Sequence, residues 1–329
     1  AQIHIMPGET YNYIYNTSMH PAGTFNFYHC HIHGLTAEQY WSGLTGCLMT
    51  QDETPLLVNY ETHTLVVKDI TLVGNNPEPY SSTMDYMRGK EGNIVMINGQ
   101  VNPVLNLRPG QVQRWRILNA CNARFLKLNL QQHGLRLIGT DGGLLDKPYL
   151  LSEILLAPGE RVDLLIKGEK SSGIYKLLSL PYDRGCGSTP QTVTLMTVSY
   201  KGTRANDAIP TQINPDATRL NLDLSVLPKR KLVLSMMHGR GYINGQDFDV
   251  NPYTIMSMVG TYEVWEISVR GGMDHPFHQH VNHAMVLSVN GGDAGYASLY
   301  TTVPAWKDTV CVPKWGSVTI LVSIMDYTG

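Results

Sequence analysis

The tetrapeptide Ile-Asn-Gly-Gln occurs twice, at Ile97–Gln100 and at Ile243–Gln246, a displacement of 243 − 97 = 146 residues. Each copy is followed by a segment centred on tryptophan, "QRWRIL" around Trp115 and "YEVWEISV" around Trp265. An internal repeat of one domain length commits the chain to stacking like units. The register extends past the tetrapeptide: His133 lies 133 − 115 = 18 residues after Trp115, and His283 lies 283 − 265 = 18 after Trp265. The repeated unit is β-structure. In "YEVWEISVR" Trp265, Ile267 and Val269 fall on one face and Glu266, Ser268 and Arg270 on the other, the period of a half-buried strand. "THTLVVKDITLV", "ERVDLLIKG" and "GSVTILVSIM" read alike, Pro-Gly turns precede strands at Pro7-Gly8, Pro109-Gly110 and Pro158-Gly159, and no long amphipathic helix competes. The expected fold class is all-β, in tandem Greek-key sandwiches.

A chain of 329 residues suits two or three domains that each bury a core. The repeat places part of a first β-domain over 1–52, a complete second over 60–200, a linker or surface crossing over 201–228, and most of a third over 229–329. The opening "AQIHIMPGETYNY" reads as the middle of a domain, with neither the basic start nor the apolar core of a signal peptide. No apolar run reaches the roughly 20 residues that cross a bilayer. With 25 basic and 27 acidic residues there is no basic field to draw in nucleic acid or an anionic membrane surface, so neither is expected as a partner. Five cysteines lie far apart with no CxxC pair, against a zinc knuckle or a dense disulfide framework; one disulfide is possible and none is required.

The histidines carry the chemical signal. Of 12, three sit in His29–His33 and four in His275–His283. In "YHCHIHG" alternate strand residues face opposite ways, so His29 and His31 project together and Cys30 projects away. An isolated pair of this kind is also what a solvent-facing or hydrogen-bonded histidine pair looks like. In "HPFHQH" His278 and His280 again share a face and His275 stands off where it could serve a separate centre; the first copy of the repeat has "FLKLNL" there. Three imidazoles in six residues are costly to bury unless a soft cation takes the lone pairs. Copper suits a nitrogen-rich site on a β-sandwich, whereas zinc would want a Cys or carboxylate nearby.

The stretch "GTFNFYHCHIHGLTAEQYWSGLTGCL" (Gly23–Leu48) resembles the second histidine motif, HxHxHGxTxxQxxxGLxGxL, of three-domain multicopper oxidases of the bacterial laccase and copper efflux oxidase kind. "INGQDFD", "HPFHQH" and "AWKDTVCVP" resemble the opening, third histidine motif and following strand of that family's third domain, and "APGERVDLLI" a segment of its middle domain. The resemblance implies cupredoxin-like domains and a ligand set. His29 and His31 would each bind one type-3 copper, His275 the type-1 copper, His278 the type-2 copper and His280 a type-3 copper, while His33 matches a family histidine that is not a ligand. Two of the family's four motifs are present. The first, HxHG, is expected before "IMPGETYNY", and the last, HCHxxxHxxxxM, after "DYTG". Cys30 has the local setting of the last motif's type-1 cysteine, but the positions of that motif's second histidine and axial methionine are Leu35 and Tyr40, which cannot serve. Cys30 is therefore expected at the variable position of the second motif, as packing.

The function implied is one-electron oxidation of a small-molecule donor with reduction of O2 to water, in a periplasmic or secreted protein. A laccase-like oxidase of phenols is favoured over a cuprous or metal-ion oxidase because the 14 methionines are scattered, with only Met236-Met237 adjacent. An inactive copper-binding fragment shares the fold. A cupin-like metal enzyme would want a carboxylate beside its histidines and no such repeat. His29 and His31 should lie beside His278 and His280, with His275 apart and near Gly329.

Overall fold

A computed structural model describes residues 3, 5–14, 23–50, 55–187, 189–247 and 255–325. Phe248 and Asp249 of "INGQDFD", and Gly329 beside which His275 was placed, lie outside the described residues. In chain order the first elements are β1 (Phe25–His29), α1 (Thr36–Trp41) and β2 (Thr45–Met49). Then come β3 (Glu61–Ile70), β4 (Leu72–Val73), β5 (Asn76–Pro77), α2 (Thr83–Arg88), β6 (Ile94–Ile97), β7 (Val104–Leu107), β8 (Val112–Asn119) and β9 (Leu126–Leu130). These are followed by β10 (Leu135–Thr140), β11 (Gly143–Leu151), β12 (Ile154–Leu156), β13 (Arg161–Lys167), β14 (Ile174–Leu180) and β15 (Val193–Tyr200). The last are β16 (Lys229–Met237), β17 (Arg240–Ile243), β18 (Thr261–Val269), β19 (His275–His278), β20 (Ala284–Asn290), α3 (Ala294–Tyr300), β21 (Thr309–Val312) and β22 (Ser317–Ile324).

The sequence repeat is a repeat of sheets. One sheet runs β11-β10-β13-β8-β3-β6 and another β20-β22-β18-β16-β17, so β10, β13, β8, β3 and β6 have counterparts in the same order. In each, one pair is parallel, β3 with β8 and β16 with β18. The reason the tetrapeptide repeats is local. Asn98 and Gly99 have φ of 51° and 78°, and Asn244 and Gly245 have 54° and 77°, the left-handed pair that a two-residue hairpin turn demands and that Asn-Gly supplies cheaply. Each asparagine then stitches the turn to the neighbouring strand. Asn98 Oδ1 accepts from the Val66 N–H at 2.9 Å and its Nδ2 donates to the Thr64 carbonyl at 2.8 Å. Asn244 does the same with Val233 and Lys231, at 2.8 and 3.1 Å. Both tryptophans also behave alike, each indole N–H donating to the residue two before it, Gln113 or Glu263.

The middle region closes a sandwich with a second sheet, β12-β9-β14-β15-β7, whose Leu128 and Leu130 are buried where the later copy has His278 and His280. That later copy instead carries a two-stranded ribbon, β19 with β21. Residues 201–228 form neither strand nor helix but are pinned: Ile209 and Ile213 pack on Leu57, Val112, Ile138 and Leu165, and Arg219 donates to the carbonyls of Tyr300, Val303 and Val286. The five cysteines form no disulfide.

Candidate metal centre

Two segments, one in β1 and one in β19, build the site. β1 pairs with β2 in the register His29↔Thr45, Phe25 anchors it at 1% exposure, and the ladder ends at His29. His31 lies beyond it, before a turn at Gly34 with φ of 80°. The later segment is organised the same way. β19 pairs with β21 from His275↔Val312 to His278↔Thr309, and His280 lies past the strand, followed by Val281 at φ 68°, an uncommon and strained value for a β-branched residue. Strand alternation predicted the shared faces; the strands themselves stop one histidine early, and the pairs still face together.

Four imidazoles converge. The ring centroids of His29 and His31 are 5.6 Å apart, His278 and His280 5.0 Å, His31 and His280 5.0 Å, and His29 and His280 6.5 Å. One nitrogen each of His29, His278 and His280 lie within 4.8 Å of one another, the grouping among the described residues with metal-ligand character. His275 stands outside that group, three residues back along the ribbon. Its segment is fixed by the buried Asp274, which accepts from the Tyr182 hydroxyl at 2.6 Å and the Lys314 N–H at 2.7 Å. His33 is exposed.

The hydrogen bonds settle two tautomers. His29 Nδ1 sits 2.8 Å from the Cys30 carbonyl, and His278 Nδ1 sits 3.1 Å from the Asp308 carbonyl and 3.0 Å from Thr309 Oγ1. A carbonyl only accepts, so each Nδ1 carries the proton and each Nε2 keeps a free lone pair. Charge is disfavoured as well. Burial lowers the His29 pKa, with His31 and His278 adding to it against the Cys30 carbonyl. His280 is pushed down to about 4, by burial first and then by His278, His31 and His29, with Asp308 acting the other way. His275 is lowered too, by burial and by Arg184. Imidazole nitrogens gathered this closely, with charge disfavoured on His29 and His280, are what a nitrogen-loving cation needs.

Cys30 takes no part in this grouping. Its thiol donates to the Thr36 carbonyl at 3.7 Å, and burial raises its pKa, the behaviour of a packing cysteine. Tyr40 meets His29 edge-on at 5.7 Å. A cleft of about 460 Å³ reaches His29 and His278 between Phe27, Tyr40, Tyr86 and Pro276.

Sequence reasoning missed the groups behind the histidines. Arg161 and Asp308 form a fork, Nη1 to Oδ1 and Nη2 to Oδ2 both at 2.6 Å, next to the buried Asp141, Lys307 and Glu160. Lys307 pairs with Asp141 at 2.8 Å and Glu160 at 3.1 Å. The signal was present in the runs "APGERVDLLI" and "AWKDTVCVP", where charges interrupt apolar strands and so require buried partners.

Two family models described as multicopper oxidase match residues 59–203 and 217–329. The multicopper oxidase mco of Staphylococcus haemolyticus is 32% identical over 274 residues, 80% of this chain and 55% of that protein. The cell division protein FtsP of Photorhabdus laumondii is 30% identical over 320 residues, 90% of this chain and 63% of that protein. Among solved structures, a multicopper oxidase from Campylobacter jejuni described as a metallo-oxidase superposes with a TM-score of 0.81 at 26% identity, over 94% of this chain and 67% of its own. The chain belongs to the multicopper oxidase family, with its cupredoxin-like all-β fold and its copper cofactor. It spans between half and two thirds of the length of the curated relatives named here. No helix among the described residues is long and apolar enough to cross a membrane.

Proposed function

We infer that this chain supplies the greater part of a laccase-like oxidase that takes single electrons from phenolic or similar donors and reduces O2 to water, in the periplasm or outside the cell. The observation that carries this is the convergence of His29, His31, His278 and His280 from two segments far apart in the chain. In this reading His29, His31 and His280 hold the type-3 coppers, His278 the type-2 copper and His275 the type-1 copper. Bound copper supplies the one-electron redox chemistry. The protein's own residues do the rest: carbonyls of Cys30 and Asp308 fix the ring orientations, burial disfavours charge on His29 and His280, and the cleft beside Phe27 gives a small molecule a way in. The sheets are read as part of one cupredoxin-like domain over 1–52, a second over 60–200, a linker over 201–228 and most of a third over 229–329.

The Campylobacter relative, described as a metallo-oxidase, makes a cuprous or other metal ion the second candidate donor. The deciding measurement is copper content, blue absorption and O2 uptake of the complete, copper-loaded gene product with a phenol and with Cu(I). Copper retention with no O2 uptake from either donor would reduce the protein to a copper binder. No copper retention would end the oxidase reading.

A further inference from the structure

Arg161 is fully buried and stands where three parts of the chain meet. Its Nε donates to the Phe25 carbonyl at 2.9 Å, in the strand that ends at His29. Its fork grips Asp308 at 2.6 Å through both oxygens, and the backbone carbonyl of that same residue orients His278. Its guanidinium also lies 5.1 Å from the centre of the Phe27 ring, and Phe27 is stacked on His29 at 5.2 Å and tilted against His278 at 5.6 Å. The β13 backbone that carries it is itself held, by the Arg161 N–H donating to Asp141 Oδ1 at 2.7 Å and by Nη1 donating to the Gly159 carbonyl at 2.9 Å.

We propose that Arg161 is the positioning residue of the histidine cluster: one rigid fork, anchored in the middle sheet, sets the separation between the His29 segment and the His278 segment. This rests on reading the cluster as a copper site. Lysine cannot replace it, because a single ammonium has neither the planar fork nor the reach to hold Phe25 and Asp308 at once. The geometry makes Arg161 touch no ligand nitrogen; it acts through Phe25, Phe27 and Asp308.

The test compares Arg161→Lys with Arg114→Lys in the complete protein. Arg114 is an equally buried arginine whose Nε lies 2.9 Å from both oxygens of Asp163 within the same sheet, so it controls for loss of a buried ion pair. Arg161→Lys should weaken copper retention by about 10–100-fold and change the Cu(II) EPR hyperfine splitting, with an unchanged far-UV CD spectrum; Arg114→Lys should lower stability and leave both copper readouts alone. In metal-free protein the nuclear Overhauser contacts of Phe27 with His29 and with His278 should vanish in Arg161→Lys. Wild-type copper affinity, EPR and Overhauser contacts in folded Arg161→Lys overturn the proposal. Where Arg161→Lys does not fold, Asp308→Asn, which keeps one acceptor oxygen, decides by the same measurements. A wild-type protein that has the Overhauser contacts but binds no copper at these histidines overturns the copper reading, and the contacts in the variants still decide the positioning role.

Discussion

Replacing Lys307 by methionine removes the one ammonium facing two buried carboxylates. Its side chain is fully buried, pairs with Asp141 at 2.8 Å and Glu160 at 3.1 Å, and lies 4.4 Å above the Tyr300 ring. Asp141 keeps Arg161 at 3.5 Å, so the loss falls on Glu160. Burial already raises the Glu160 pKa; Lys307 pulls it back and Asp141 pushes it up again. Without Lys307 the folded protein should hold Glu160 neutral, still accepting from the Tyr296 hydroxyl and the Ala157 N–H. Neutralising a carboxyl of reference pKa about 4.3 at pH 7 costs about 1.4 kcal/mol per unit, so about 3.7 kcal/mol, which is the ceiling for the mutation because the wild-type Glu160 already carries part of it. The sign follows from proton counts. A carboxyl whose folded pKa is raised binds more protons folded than unfolded, so its stability contribution is present below about pH 4.3 and is lost as pH rises toward the folded value. The cost of Lys307→Met should thus be greater at pH 7 than at pH 5, by no more than about 2.7 kcal/mol. Urea unfolding at the two pH values reads the cost, and difference infrared spectroscopy reads the protonated carboxyl. A cost below about 1 kcal/mol at pH 7, or one that does not change with pH, refutes this account of the network.

Cys30→Ser in the complete, copper-loaded protein should keep the blue colour and most activity, whereas His29→Ala or His31→Ala should keep the colour and abolish O2 uptake; loss of the blue band in folded, copper-loaded Cys30→Ser would reassign the motif. In the metal-free protein, imidazole NMR should show His280 titrating near pH 4, well below an ordinary histidine. Its folded form then binds fewer protons than the unfolded one between that pH and about 6.5, and the apo-protein should lose stability as pH falls through that window. A His280 midpoint near 6.5 removes this effect. Asn244→Ala sets alanine at a positive φ and removes two side-chain hydrogen bonds, so it should cost about 2–4 kcal/mol in thermal or urea unfolding; Asn244→Gly loses the same two bonds without the strain and should cost about 1–2 kcal/mol less.

The repeat was legible because each copy spends its signature residues on the same local problem: Asn-Gly turns a hairpin and ties it to the next strand, and a tryptophan sits on the buried face beside it. Alternation found Ile267 and Val269, buried as expected. It did not find Glu263, buried on the same face because Arg230 reaches it with a bidentate grip from the parallel strand β16. Nor did it show that β8, the strand around Trp115, is buried along its whole length, including Arg114 and Arg116. Their shared partner Asp163 is 49 and 47 residues away, and single-strand periodicity carries no record of it. The histidine pairs were legible as pairs. That His29 and His278 would meet followed only from family resemblance, because it is decided by Arg161, Asp308 and Phe27, which bring together segments whose sequences are silent about each other. Where the ladders end, at His29 and at His278, was also hidden, since period-2 spacing has no mark for its own last residue.

The ribbon β19–β21 works as a ruler. His275 and His278 are three residues apart on a paired strand, which at about 3.3 Å per residue sets their Cα atoms about 10 Å apart. If electrons enter at one and O2 is met near the other, that spacing is the length an electron must cover, and it is written in hydrogen bonds to β21 rather than in any flexible linker. Inserting one residue between them would lengthen the path only slightly. It would, however, turn every side chain beyond the insertion to the opposite face, carrying His278 away from Thr309 and out of reach of His29, so the gap between His275 and His278 can change only in steps that preserve the strand's parity.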